Sequence, residues 1–211
     1  MDLKDCYTRS TGYLGTSSGL PDTLNSHEAQ LSNDCDINPE FCAYNKVRFH
    51  YCDGNSFISN NPDGVVVPSS ITGGEPKTIF FKGASILKAA MDFFREDTDN
   101  SLSDATDVLL TGCSAGGLAT FLNSDRLMDN YFNRKDTPNL IRFKAMPISG
   151  FFLDQKTVFN ENFYPGYMKV IHDLSKAAVP DRCAKAIMEK YRRDDIAFDM
   201  LYVSAFILNP S

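Results

Sequence analysis

The chain has 211 residues, enough for one domain with a proper core or for most of a larger one. With 43% hydrophobic and 23% charged residues it has the make-up of an ordinary soluble globular protein, and its longest apolar runs, such as AFIL near the end, are far too short to cross a bilayer. A net charge of −6, a pI near 5 and the lack of any block of Lys and Arg argue against a nucleic-acid partner.

Residues 1 to about 45 read as loops, marked by TSSGLPD and DINPEF. KVRFHYC (46–52) has the pattern of a short strand, and DGNSF after it reads as a turn. TIFFKG (78–83) is a second expected strand, closed by Gly83. ASILKAAMDFFRE then sets Ile86, Leu87, Ala90, Phe93 and Phe94 at helical spacing. DVLLTG (107–112) is an apolar strand of the kind buried on both faces of a parallel sheet.

After Ser114 the period becomes helical again, with Leu118, Phe121, Leu122 and Met128 on one face of a helix reaching about Phe132. RFKAMPIS (142–149) reads as a strand, and YPGYMKVIHDLSK and VPDRCAKAIMEKYRR as helices, Pro180 suiting the first turn of the second. MLYVSAFIL (200–208) is a final apolar strand. Strands alternating with helices imply a doubly wound, mostly parallel α/β sheet with right-handed crossovers. No repeat, low-complexity segment or interdomain linker interrupts it.

Six cysteines occur: Cys6, Cys35, Cys42, Cys52, Cys113 and Cys183. None lies at C-x-x-C spacing, so a metal site is not expected. Four of them fall in the loop-rich first 52 residues, where cross-links stabilise most, which favours disulfides and an oxidising compartment. The alternative is buried free thiols in a cytosolic protein. MDLKDCYTRS lacks the apolar stretch of a signal peptide, so the natural protein is expected to start upstream of Met1.

Gly112-Cys113-Ser114-Ala115-Gly116 fits the G-x-S-x-G nucleophile elbow. A turn from strand to helix that sharp leaves no room for flanking side chains. It holds the serine hydroxyl above the sheet at a helix N-terminus, where the Ala115 N–H can face the oxyanion of a tetrahedral intermediate. The pattern is short, and the strand before it and the helix after it give it weight. A plain glycine-rich turn, or one that cradles phosphate, is the competing reading. The P-loop lysine and the dinucleotide-fingerprint spacing that phosphate binding would call for are both missing.

LLTGCSAGGLATFLNSDR resembles the pectin acetylesterase family, which also contains the Notum carboxylesterases. INPEFCAYNKVRFHYCDGNSF is similar to that family's NP-x-F…YCDG-x-SF segment, TIFFKGASILKAAMDFF to its F-R-G strand and helix, SGFFLD (149–154) to its aromatic segment, and AFILNP to its F-x-x-N-P strand. The resemblance implies an α/β-hydrolase-like fold and a secreted, disulfide-bonded, cofactor-free and metal-free carboxylesterase. Ser114 matches the nucleophile and the Ala115 amide one oxyanion donor. Substrates would be an acylated polysaccharide or an acylated protein. Cys52 would be disulfide-paired, Cys6 would pair with a cysteine upstream, and Asp53 and Ser56 would shape the pocket entrance or simply the turn. Asp154 matches an Asp that is not the triad acid.

A serine nucleophile needs a base and an acid to orient it, in this fold in the order Ser, Asp or Glu, His. His27 and His50 precede Ser114, and His172 sits inside an expected helix with no strand end leading to it. By the resemblance, the acid follows the Asn-Pro matched by Asn209-Pro210, and the histidine comes later still. A glycine-rich Trp segment upstream supplies the rest of the oxyanion hole. The chain is therefore expected to be an internal part of one catalytic domain, incomplete at both ends, without triad acid or histidine and inactive by itself. Rescue by His172 is one alternative. A catalytically dead fold that binds a glycan or lipid is another. No N-x-[ST] glycosylation acceptor occurs.

Overall fold

The computed structural model describes residues 2–21, 29–96, 101–152, 155–161 and 163–178, together with 180–182, 184–185 and 189. His27, Asp154, most of the helix expected over 179–193 and the strand expected over 200–208 lie outside the described residues.

The N-terminal residues form a helix where loops were expected. Helix α1 (Leu3–Thr11) starts at Asp2, whose carboxylate accepts from the Asp5 amide at 3.0 Å while the Asp5 carboxylate accepts from the Asp2 amide at 2.8 Å. This reciprocal cap satisfies two of the N–H groups that a helix start leaves bare. KVRFHYC departs in the other direction. Among the described residues it joins no ladder, and ring contacts hold it instead, with Phe49 and Tyr51 packed on Phe57 at 6.4 and 5.6 Å between centroids. With no ladder partner for its backbone groups among the described residues, its alternation alone does not make it a strand there.

Strand β1 (Asn61–Val67) went unforeseen because NPDG reads as a turn. It pairs antiparallel with β2 (Lys77–Phe81), and a bulge between Asn61 and Val65 accommodates Gly64 at φ +74°. The one-turn helix α2 (Ser69–Thr72) joins the two strands. Helix α3 (Gly83–Glu96) follows, so Gly83 opens a helix rather than closing a strand. Its buried face carries Leu87 and Met91, whereas Ile86 and Phe93 point outward, a rotation from the expected stripe.

Strand β3 (Asp107–Cys113), helix α4 (Ala115–Tyr131) and strand β4 (Arg142–Ile148) make the expected parallel unit, in register from Asp107 opposite Arg142 to Cys113 opposite Ile148. β3 is half-buried along most of its length, not buried on both faces as expected, because β4 is its one ladder partner among the described residues. Helix α5 (Phe163–Ser175) ends the described elements.

Among the described residues, three clusters make the core. α1 and the β1–β2 pair share Cys6, Val67, Ile79 and Phe81. α4 belongs to the other two: Leu118 and Leu122 meet Met168 and Ile171 of α5, while Leu127 and Tyr131 meet Leu87 and Met91 of α3. Its apolar residues thus spread around more than one face, because it is covered from two sides. Among the described residues, no helix is long and apolar enough to cross a membrane.

A Cβ on Gly64 would sit 2.7 Å from the Ile79 carbonyl oxygen in a left-handed backbone, whereas one on Gly74 would meet nothing within 4 Å. Gly64→Ala should therefore cost about 1–3 kcal/mol in chemical denaturation, and Gly74→Ala about 0.5 kcal/mol or less.

Candidate active site

β3 ends at Cys113 and α4 begins at Ala115, leaving Ser114 alone to make the turn. Its backbone sits at φ 56°, ψ −116°, a region closed to most residues that carry a Cβ and costing about 1–3 kcal/mol. The Ser114 amide donates to the Ile148 carbonyl of β4 at 2.9 Å, and its carbonyl accepts from Leu118 at 3.0 Å. One bond ties the residue to the sheet and the other starts the helix. The side chain is exposed, at the N-terminal end of a 17-residue helix whose unbonded amides and dipole favour negative charge.

Glycine makes this approach of strand and helix feasible, though not at both positions the motif suggests. A Cβ on Gly112 would overlap the Gly116 peptide, but one on Gly116 meets nothing within 4 Å. The second tight contact belongs to Gly117, where a Cβ would stand 2.7 Å from the Gly150 Cα and against the Ile148 carbonyl. Gly150, beyond the reach of the motif, is the matching half of that approach. Ser149 before it also takes a positive φ, 50°.

Of the other sequence-predicted residues, the structure brings one to the elbow. The Ser56 hydroxyl donates to the Ala115 carbonyl at 3.4 Å. Asp53 is buried and has no described bond to Ser114, accepting instead from the Ser59 hydroxyl at 2.8 Å and the Phe57 amide at 3.3 Å. It lines a cavity of about 60 Å³ with Cys6, Arg9 and Cys52 beneath α1, which Ser114 does not border. His172 lies mid-α5 with Nδ1 3.2 Å from the Asp173 carboxylate. His50 is half-buried, its Nε2 enclosed and without a described partner. Among the described residues, no histidine or carboxylate is hydrogen-bonded to Ser114.

Cys35 and Cys42 form a disulfide. Among the described residues Cys52, implied by the resemblance to be paired, is a half-buried free thiol that borders the cavity beside Cys6 without a bond to it. Buried Cys6 and exposed Cys113 are free as well, and Cys183 lies outside the described residues.

The residues that sequence reasoning missed hold Ser56 in place. Asn123, buried in the middle of α4, donates through Nδ2 to the Ser56 carbonyl at 2.9 Å, and Arg126 one turn on donates to the Phe57 carbonyl at 3.1 Å. An asparagine inside a helix is a weak helix former, and that was the signal available. From the other side, the Tyr51 hydroxyl accepts from the Ser56 amide at 2.9 Å. Burial, helped by the nearby Asp53 carboxylate, pushes the Tyr51 phenol up to about 12.

The pectinacetylesterase family profile matches residues 1–210. Pectin acetylesterase 5 of Arabidopsis thaliana is 34% identical over 172 residues, which is 82% of this chain and 35% of that protein. Pectin acetylesterase 11 of the same plant is 26% identical over 213 residues, 99% of this chain and 48% of that protein. A solved structure of the Wnt deacylase Notum from Drosophila superposes with a TM-score of 0.75 at 23% identity, covering 95% of this chain and 54% of that one. The chain thus spans about half or less of the proteins it matches, and the superposition places it in the α/β-hydrolase-like fold.

Gly117→Ala should cost about 1–3 kcal/mol by overpacking the backbone of Gly150, while Gly116→Ala, with open space and a helical backbone, should be neutral or stabilise by up to about 1 kcal/mol; thermal unfolding of the two variants checks the contrast. Tyr51 supplies a pH dependence. Its folded value lies above the unfolded value of about 10, so the stability it contributes is fully present below pH ~10 and is lost as pH rises towards ~12. The unfolding free energy measured by denaturant titration across that window should fall by up to about 3 kcal/mol, and Tyr51→Phe should remove that part of the fall.

Proposed function

Because the chain belongs to the pectinacetylesterase family, we propose that it carries the nucleophile of a carboxylic-ester hydrolase and that Ser114 is that nucleophile. The observation that carries this reading is the strained backbone of Ser114, which presents an exposed hydroxyl at the start of α4. A structure holds a residue in such a conformation only where its surroundings over-determine it, and functional turns are where this is found.

In the proposed reaction the Ser114 Oγ attacks the ester carbonyl carbon as its proton passes to a base. The carbonyl oxygen becomes an oxyanion facing the Ala115 amide, a donor class worth about 10²–10³ in rate. Collapse expels the alcohol, which takes the proton back. Water then attacks the acyl-serine, freeing the carboxylic acid and restoring the Ser114 hydroxyl. No metal or cofactor takes part. The 211 residues act as part of one catalytic domain, with the remaining oxyanion donor, the acid and the base supplied from outside the described residues.

The substrate is an acylated polysaccharide or an acylated protein. The Arabidopsis pectin acetylesterases among the relatives support the first and the Drosophila Wnt deacylase the second. The Cys35–Cys42 disulfide supports an extracellular site of action. A second reading rests on the lack of a described partner for the Ser114 hydroxyl: a fold that binds a glycan or lipid without cleaving it.

A serine-reactive fluorophosphonate separates the two. The natural full-length protein should be labelled at Ser114, and Ser114→Ala should abolish labelling and lower hydrolysis of an aryl acetate by about 10⁴-fold or more. No labelling of the full-length protein would leave only the binding reading. The 211-residue chain by itself should be labelled slowly at best. Rapid labelling of it, lost in His172→Ala, would instead make His172 the base.

A further inference from the structure

Residues 55–57 are bound far more heavily than a surface turn requires. Ser56 and Phe57 take successive left-handed conformations, φ 53° and 58°, although neither is glycine. Each such residue costs energy that only surrounding bonds can offset. Here all four backbone polar groups of the pair that can be tied are tied: the Ser56 amide to the Tyr51 hydroxyl, the Phe57 amide to Asp53, the Ser56 carbonyl to Asn123 and the Phe57 carbonyl to Arg126. Asn55 adds a side-chain bond to Ser175 at 2.7 Å. The free end of this assembly is the Ser56 hydroxyl, and it lies on the carbonyl of Ala115.

Asn123 is central to it. The side chain is 2% exposed and spends both ends on the assembly. Nδ2 donates to Ser56 across the interface and to Ala119 on its own helix at 2.8 Å, and Oδ1 accepts from the Arg126 guanidinium. Leu122 and Leu127 beside it are core residues. An apolar side chain at 123 would suit the helix and the packing better, because a buried amide must find partners merely to break even. Its bond to the strained loop is what an apolar residue could not supply.

We propose that Asn123 is a positioning residue for the oxyanion donor, holding the Ser56 hydroxyl on the Ala115 carbonyl, one peptide beyond the Ala115 N–H, so that the first turn of α4 keeps its aim. The proposal rests on the reading of Ser114 as nucleophile. At 3.4 Å the Ser56–Ala115 contact is longer than an ordinary hydroxyl hydrogen bond and correspondingly weak. A small retreat of the loop therefore breaks it. Losing a whole oxyanion donor costs about 10²–10³ in rate, so misaiming one should cost roughly tenfold.

The test uses the natural full-length protein and compares Asn123→Leu, Ser56→Ala, Ser56→Thr and the Asn123→Leu/Ser56→Ala double variant. Aryl-acetate kinetics are measured alongside hydrogen exchange of the Leu118 amide, which is bonded to Ser114 and reports on the elbow whether or not chemistry occurs. The expected result is kcat lowered about tenfold in Asn123→Leu and in Ser56→Ala, with KM within about twofold, no further loss in the double variant, and near-normal kcat in Ser56→Thr, which keeps the hydroxyl. Should Asn123→Leu fail to fold, the two Ser56 variants decide the matter. Wild-type kcat in Ser56→Ala overturns the positioning role while leaving Ser114 as the nucleophile. Hydrolysis that survives Ser114→Ala overturns the nucleophile reading and this proposal with it, and faster exchange at Leu118 in the Ser56 variants would then mark the contact as structural only.

Discussion

The turn at Ser114 works only because two pairs of backbones come closer than side chains allow. Gly112 lies against the peptide of Gly116, and Gly117 lies against Gly150. The first contact folds the helix start back over the strand end. The second fastens that helix start to the chain leaving β4, whose Ile148 carbonyl already binds the Ser114 amide. The strained residue is therefore gripped from the strand before it, the helix after it and the neighbouring strand. That grip is what lets an L-residue persist at φ 56°.

A grip of this kind needs α4 itself to be immobile, and its packing supplies that. Leu118 and Leu122 are covered by α5, Leu127 and Tyr131 by α3, so the helix cannot slide or roll without uncovering one of the two clusters. The polar residues between those sets turn towards the 55–57 loop. Apolar contacts fix where α4 lies, and Asn123 and Arg126 use that fixed position to hold a strained loop whose remaining hydroxyl returns to the elbow.

The elbow, α3, α4 and the β3–β4 pair were legible in the sequence because each is set by short-range rules: glycine around a tight turn, apolar residues at helical spacing, a buried-type strand. What could not be read depended on distant partners. KVRFHYC has a strand's alternation but no ladder neighbour among the described residues. Asn61–Val67 has a strand's partner in β2, but its Pro-Asp-Gly start hides a bulge as a turn. The capping box at Asp2 and Asp5 is a two-residue signal ahead of a long loop-rich stretch. The stripe expected on α3 was rotated, because spacing tells which residues share a face and not which of them meets a neighbour.

Asp53 and Gly83 show how far such long-range terms reach. They stand thirty residues apart, in two segments that the resemblance picked out separately, and a Cβ on Gly83 would overlap the Asp53 carboxylate. The same carboxylate accepts from the Ser59 hydroxyl, and the Ser59 carbonyl accepts from the Ala84 amide at 2.9 Å in the first turn of α3. A carboxylate at a helix start is favoured by the bare amides and dipole there, but it fits here only because the helix begins with a residue that has no side chain. The glycine that looked like a strand terminator is thus the space into which Asp53 fits. Asp53 in turn accepts from the Phe57 amide, so α3 helps to fix the same loop that α4 holds from the opposite side. The two motifs belong together because the loop carrying Ser56 needs support from both helices.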